Sequence, residues 1–452
     1  MEQDLLQGKI AKQLTVLALP LLIGDVLQQL YNTIDAVIIG RYIGSDAFAA
    51  VGIAGAVMHL LLLVLSGFCA GISIVLAQLY GAGDLARFRR EVYLACALGG
   101  GATLLGSAAA LFALKPLLLW IDTPARLLPF ALEYLAVIAL GMTAAYFYNA
   151  GACLLRAIGN CKAALYFLAV SVVGNTALDI LLVAYLGAGI AGAAWATVLS
   201  QALSAALCFL YIKKHFPALL FRREDCRLDR ALARRTLHFG LVSALQKSSL
   251  YFGKVLMQGI VNSIGVYAIA AYTATTRIEG FANAFGSSAC QALSVFVAQN
   301  TGAGNAVRAR QGFYSALRLL AGLTLVMSAA LYWGAEASMH ALLKDDPPAV
   351  AAGVEYLRII ACFYVLDFAG EALVGYLNGS GRVNLPLVGV NLHISLRIAL
   401  SYCLVGSLGL AAVAWATGIG WLAIVTLLSC ACLKRRKQKS PRAAIRAQEP
   451  TP

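Results

Sequence analysis

Long apolar runs follow one another along nearly the whole chain, and no other feature constrains its fold as strongly. Splitting at charged and Gly/Pro clusters places them at roughly 14–39, 47–77, 92–114, 131–155, 163–186, 190–212, 238–261, 267–299, 313–334, 351–377, 385–408 and 409–433. Each is long enough to cross a bilayer, which takes about 20 helical residues. In lipid a helix is the only open-chain form that satisfies its own backbone. Only 12% of the 452 residues are charged, against about 25% in a soluble domain, and the mean hydropathy is +0.79. A soluble enzyme is excluded, and the expected fold class is an all-α integral membrane protein with twelve transmembrane helices.

The formal net charge is +14, and where it sits decides what it means. Twenty-five Lys and Arg fall in the N-terminus, in alternate loops and in the C-terminal tail, whereas the opposite loops hold only Arg41, Lys115, Arg126 and Lys344. This asymmetry predicts a multi-pass protein of the cell membrane with both termini cytoplasmic. There is no basic groove with interleaved aromatics and no nucleic-acid motif, so nucleic acid is not an expected partner; membrane lipids are. The eleven cysteines lie mostly inside apolar runs, as Cys69, Cys96, Cys153, Cys208, Cys290, Cys362 and Cys403 do, and read as packing residues. The first thirteen residues carry Glu2, Asp4, Lys9 and Lys12 and show no signal-peptide pattern.

Internal repeats divide the chain. Ala77-Gln78-Leu79-Tyr80-Gly81-Ala82-Gly83-Asp84 recurs as Ala298-Gln299-Asn300-Thr301-Gly302-Ala303-Gly304-Asn305, Ala194-Trp195-Ala196-Thr197 as Ala414-Trp415-Ala416-Thr417, and Ile43-Gly44 as Ile264-Gly265. The expected organisation is a six-helix lobe over 1–212, a basic cytoplasmic linker over 213–237, a second six-helix lobe over 238–433 and a basic tail over 434–452. Six spans per lobe make the repeats parallel, a plan that transporters use around a central cavity. The Gly-Ala-Gly loops lack the Lys-Ser/Thr and the preceding strand of a phosphate loop. A turn in which Asp84 or Asn305 caps the next helix is the better account.

A charge at mid-bilayer costs about 3 kcal/mol or more, so each one needs a reason. In the first helix Asp25, Gln28, Asn32 and Asp35 are spaced by three, four and three, one polar stripe on an apolar helix. In the fifth, Ser171, Asn175 and Asp179 repeat every four. Without a nearby fixed cation, Asp35 and Asp179 are expected to take up a proton or hold a small hard cation, Na+ included, through oxygen ligands. The alternative is a pair of hydrogen-bonded structural acids. His59 reads as a packing residue. At the repeat offset Asp35 falls near Leu256, Asn175 near Arg397 and Asp179 near Ser401, so the second half cannot hold the same ion. Its own charged residues, Lys247, Lys254, Arg277, Glu279, Asp367 and Glu371, are expected to form interhelical ion pairs or to face substrate. Tyr31, Tyr146, Phe147, Tyr148, Tyr251, Phe252, Phe363 and Tyr364 either offer π-faces to an organic cation or pack. Gln28, Tyr31, Asn32, Tyr146, Tyr148, Tyr251, Lys254, Arg277, Asp367 and Glu371 are the candidate cavity residues. Pro20 removes a backbone hydrogen bond in the first helix and marks a hinge or a static kink.

From Lys12 to Leu433 the chain resembles the multidrug and toxic compound extrusion (MATE) family. The residues that carry the resemblance are Leu30-Tyr31-Asn32-Thr33-Ile34-Asp35, Gly40-Arg41-Tyr42-Ile43-Gly44, the Ala-Gln-x-x-Gly-Ala-Gly loops, Asn175-Thr176-Ala177-Leu178-Asp179 and Gly375-Tyr376-Leu377-Asn378-Gly379-Ser380-Gly381. The resemblance implies two six-helix lobes arranged in a V that open to either side in turn. It implies export of small amphipathic, cationic organic compounds against entry of H+ or Na+, with no other cofactor and no obligate protein partner. Similarity is greatest to the DinF-like branch, which implies an ion site at Asp35, Asn175, Asp179 and Thr197 and a bending helix at Pro20. The NorM-like acid of the seventh helix is missing, since Gln246, Lys247 and Lys254 stand there. A flippase for a lipid-linked or cell-envelope precursor is the alternative reading.

Overall fold

The computed structural model describes residues 5–121, 123–343 and 346–438. No strand occurs among them. The chain runs through α1 (Ile10–Tyr42), α2 (Ser45–Gly81), α3 (Leu85–Leu94), α4 (Gly100–Trp120), α5 (Leu128–Ala157), α6 (Cys161–Asp179) and α7 (Gly189–His215). It continues through α8 (Arg230–Asn262), α9 (Val266–Gly302), α10 (Ala306–Leu343), α11 (Pro347–Gly379), α12 (Asn384–Leu408) and α13 (Ala411–Gln438). A π-helical turn over Ala95–Gly99 joins α3 to α4, and another over Ile180–Tyr185 extends α6. Among the described residues eleven helical segments are long and apolar enough to cross a membrane. The long helix left out is α8, whose apolar course is diluted by Arg230, Arg234, Arg235, Lys247 and Lys254. The segment expected to be a linker contains two 3-10 turns, Pro217–Leu219 and Arg223–Asp225, and from Arg230 it is already helix. The tail residues from 439 onward and Glu2 and Asp4 lie outside the described residues, as does the side chain of His59.

The duplication is visible in the backbone. Glycines with positive φ recur in pairs 221 or 222 residues apart: Gly44 (116°) with Gly265 (133°), Gly83 (69°) with Gly304 (74°), Gly159 (83°) with Gly381 (79°), and Gly187 (62°) with Gly409 (53°). The caps recur with them. Asp84 Oδ1 accepts from Arg87 N–H at 3.0 Å and Asn305 Oδ1 from Arg308 N–H at 3.1 Å, so both Gly-Ala-Gly loops are helix-capping turns, as their composition predicts.

Contacts divide the chain into two compact units. The first comprises 1–248 with two pieces of the second repeat, 291–312 and 379–381; the second comprises 249–290, 313–378 and 382–452. The first unit takes in those pieces because two glutamines cross between the repeats. Gln78 Nε2 donates to the carbonyl of Gly379, the last residue of α11, at 2.8 Å, and Gln299 Nε2 donates to that of Ala157, the last residue of α5, at 2.7 Å. Gly81 lies against the backbone of Gln299 and Gly302 against that of Gln78, so closely that a Cβ on either would collide with a carbonyl oxygen. Arg235 donates to Gln78 Oε1 on the other side of the amide.

The core of the first unit is built from Ile38, Ile39, Ala50, Leu118, Leu135, Ile138 and Ala194, with Tyr134 among them. The second has a smaller cluster of Leu373, Leu377, Val390 and Leu428. Apolar side chains also point outward: Leu105, Phe112, Leu325 and Tyr402 are each more than 70% exposed. In water such a surface would aggregate; in lipid it is the solvent-facing surface.

Between α7 and α8, Asp225 Oδ2 accepts from Arg89 Nε at 2.9 Å and from the Arg222 N–H at 3.0 Å. Burial acts to raise its proton affinity, but these two donors outweigh it and hold the carboxyl below the usual carboxylate range.

Candidate functional site

Three helices of the first unit bring the polar stripes together. α1 supplies Tyr31 and Asp35, α6 supplies Asn175 and Asp179, and α7 supplies Thr197. All but Tyr31 are buried, Asp179 completely so. The spacing of four between Asn175 and Asp179 puts both on one face. Asp179 is the last residue of α6 before the π turn, and such turns commonly mark functional sites in helices.

The Asp35 and Asp179 side chains stand within hydrogen-bonding reach of each other. A bond between two carboxyl groups needs one proton between them, or a cation in its place. With the Asn175 amide turned to satisfy both its ends, its nitrogen donates to Asp179 Oδ2 at 2.9 Å and its oxygen accepts from the Thr197 N–H at 3.2 Å. Tyr31 and Thr197 hydroxyls share a hydrogen bond of 3.1 Å. Asp35 Oδ1 and Asp179 Oδ1 are buried and have no hydrogen-bond partner among the described residues. No ion pair joins either acid to a Lys or Arg among the described residues. The donor set of two carboxyls, an amide and a hydroxyl is all oxygen on its accepting side, which suits H+ or a small hard cation such as Na+.

The remaining candidates separate. Gln28 and Asn32 are exposed on α1 in the same unit, and Tyr148 is half-buried on α5. Tyr146 does not line a cavity. It is 1% exposed, its hydroxyl donates to the Ala95 carbonyl at 2.6 Å, and its ring covers Gly99, where a Cβ would have no room. The tyrosine satisfies a carbonyl of the first π turn, a structural role that its place among other aromatics had concealed. Pro20 is buried inside α1, which continues through it as helix.

Tyr251, Lys254, Arg277, Asp367 and Glu371 belong to the second unit. Among the described residues none of the expected ion pairs joins Lys247, Lys254, Arg277, Glu279, Asp367 or Glu371. Ion pairs do form elsewhere, at Arg87–Asp84, Arg89–Asp225, Arg126–Asp46 and Arg358–Glu336. Tyrosines stand in instead: Arg397 Nη2 donates to Tyr272 OH at 3.3 Å and Tyr356 OH donates to Glu279 Oε2 at 3.3 Å. Lys247 Nζ, in the first unit, donates to Ser66 Oγ at 3.5 Å.

One site residue went unread in the sequence. Tyr134 of α5 is buried, and Asp35, Tyr31 and Asp179 all act electrostatically on its hydroxyl. No polar periodicity surrounds it in the apolar run, so nothing in the sequence set it apart from core.

A duplicated, multi-pass helical frame with a buried carboxyl pair in its first half is the build of a membrane transporter rather than an enzyme. The chain belongs to the MatE family, which it matches over residues 20–181 and 243–403, one stretch in each repeat. Among its relatives are two probable multidrug resistance proteins of Bacillus subtilis strain 168. YpnP is 28% identical over 387 residues, covering 85% of this chain and 86% of the relative, and YoeA is 28% identical over 311 residues, covering 66% of each. The fold is that of a MATE transporter crystallised in a bent conformation, with a TM-score of 0.89, 22% identity, and coverage of 98% of this chain and 100% of that one.

Proposed function

We propose that this protein exports small amphipathic, cationic organic compounds across the cell membrane by alternating access, in antiport with H+ or Na+ bound at Asp35, Asn175, Asp179 and Thr197. The observation that carries the reading is the pair of embedded carboxyl groups on separate helices, in reach of each other and, among the described residues, without a fixed cation. An ion between them draws α1 toward α6; without it the two acids repel. Ion and substrate thereby favour different states of one protein, which is the thermodynamic requirement of antiport. The Tyr31–Thr197 bond ties α1 to α7 at the same level. Pro20, a little over four turns before Asp35 on the same helix, is where α1 yields. The excess of Lys and Arg in alternate loops supports cytoplasmic termini.

The test is efflux of a fluorescent organic cation from proteoliposomes under an imposed proton or sodium gradient. Asp35→Asn and Asp179→Asn should each abolish gradient-driven movement while the protein still folds, and the effective gradient identifies the ion. Undiminished efflux in both variants refutes the assignment.

A further inference from the structure

The first unit buries an acid that the ion site does not use. Glu91 of α3 and Thr236 of α8 are both 0% exposed. Glu91 Oε2 stands 2.6 Å from Thr236 Oγ1, which in turn stands 2.9 Å from the carbonyl oxygen of Leu232. Glu91 Oε1 is buried and has no hydrogen-bond partner among the described residues. No ion pair joins Glu91 to a Lys or Arg among them. The charged and titratable groups around it are engaged elsewhere. Arg235, the residue before Thr236, donates to Gln78 Oε1. Asp225, in the turn packed on α3, accepts from Arg89, and Tyr146 of α5 donates to the Ala95 carbonyl. Arg90 flanks Glu91 in the chain, and α2 carries no Asp, Glu, Lys or Arg over 60–81.

Counting protons along this chain of oxygens decides the state of the acid. A threonine hydroxyl has one proton to donate and a carbonyl oxygen has none. With Glu91 ionised, the single Thr236 proton would have to serve both contacts, and the charge shared with Oε1 would lie buried against no donor. With a proton on Glu91 the chain closes. Glu91 Oε2–H donates to Thr236 Oγ1, Thr236 donates to the Leu232 carbonyl, and a neutral Oε1 is far less costly to bury than an anionic one. A neutral Glu91 also accounts for the direction of Arg235, whose guanidinium goes to an uncharged amide and not to the acid beside Thr236. That amide is the one by which Gln78 holds the Gly379 carbonyl at 2.8 Å.

We propose that Glu91 is a second proton-binding site, separate from the Asp35–Asp179 pair, and that its proton sets the partner of Arg235. While Glu91 is neutral, Arg235 stays on Gln78 and the contact between the repeats is closed. When Glu91 releases its proton, the carboxylate draws the guanidinium across, Gln78 loses that bond and the contact loosens. Proton binding favours the closed contact, so closure is strongest at low pH and weakens as pH rises. The inference does not rest on the efflux reading, since it needs neither a substrate nor a gradient.

Infrared spectra of the purified full chain read the C=O stretch of protonated carboxyl groups. At about pH 6 an ordinary glutamate, with a pKa of about 4.3, is ionised. Wild type should nevertheless show an acid band that Glu91→Gln lacks, and raising the pH toward about 10 should remove it. Asp35 and Asp179 are present in both proteins and cancel in the difference. Thr236→Val keeps the acid but removes the acceptor of its proton, so the band should remain and move to higher frequency. Hydrogen exchange, corrected for the intrinsic pH dependence of amide rates, then reads the contact. Amides of 77–84 should lose protection in wild type as pH rises, by up to about tenfold per pH unit, the slope of one proton. Glu91→Gln, whose amide can donate to Thr236 as the protonated acid does, should stay protected throughout. Thermal melting establishes folding; if Glu91→Gln does not fold, Thr236→Val carries the infrared test. Identical spectra of wild type and Glu91→Gln at about pH 6, or an acid band unmoved in Thr236→Val, overturn the proton site and the proposal with it. Wild-type protection that ignores pH, or that is lost equally in Glu91→Gln, overturns the switch.

Discussion

A single methyl group at Gly302 should open the contact between the two repeats. The Cβ of Gly302→Ala would run into the carbonyl oxygen of Gln78, and that of Gly81→Ala into the carbonyl oxygen of Gln299. The obstacle in both cases is helix backbone, which cannot rotate aside as a side chain can. Forcing a methyl into such a contact costs about 1–3 kcal/mol. Withdrawal also stretches the 2.8 Å bond from Gln78 to Gly379 and the bond from Arg235, each worth about 1 kcal/mol. A total of about 2–5 kcal/mol corresponds to a shift in the contact's equilibrium of about thirtyfold to more than a thousandfold. Hydrogen exchange read by mass spectrometry measures such openings directly, and amides of 77–84 and 298–305 should lose protection by at least about thirtyfold in either variant. Gly83→Ala is the control, since Gly83 has φ +69° but nothing within 4 Å of a Cβ. It should cost only about 1 kcal/mol of turn strain. If Gly81→Ala and Gly302→Ala both exchange like wild type, the close approach does not hold the repeats together.

Tyr31→Phe removes the bond to Thr197 while keeping the ring, so ion-driven efflux should fall by about fivefold to tenfold with little change in melting temperature, measured in parallel on one preparation. Tyr146→Phe leaves the buried Ala95 carbonyl unmet and should destabilise by about 1–3 kcal/mol in denaturant or thermal unfolding, without changing which ion drives transport. Asp225 has a depressed affinity for protons when folded, so its contribution to stability is present above the unfolded carboxyl pKa and is lost as pH falls below about 4. Melting curves from pH 7 to pH 3 should therefore fall more steeply for wild type than for Asp225→Asn, which lacks the titrating group.

Helices were legible wherever apolar length decided them, because the bilayer leaves no competing fold. α8 shows the limit: its basic residues pull it below the hydropathy of its neighbours although its helical course is unbroken. Asp35, Asn175 and Asp179 were legible through periodicity, which is a statement about one helix face. What joins faces of different helices leaves no period. The partnership of Tyr31 with Thr197, the burial of Tyr134 and the bond from Tyr146 to a π-turn carbonyl depend on which helices are neighbours. The second-half charges misled for a related reason. Opposite signs in a membrane suggest ion pairs, but Arg397 and Glu279 each hydrogen-bond a tyrosine hydroxyl instead, at Tyr272 and Tyr356, at lower electrostatic strength. The π turn after Asp179 is invisible to any fixed period, since it is itself a break in one.

The exchanged glutamines have a further consequence. Gln78 of the first repeat completes a helix end in the second, and Gln299 of the second completes the corresponding end in the first. A contact in which residue i meets j while j's counterpart meets i's is isologous, the geometry of a twofold dimer. The two bonds thus form a twofold-related pair within the first unit of a single chain. Neither repeat, expressed alone, would have a donor for its own terminal carbonyl, so two half-length chains would each need the other, or a second copy of themselves, to finish folding.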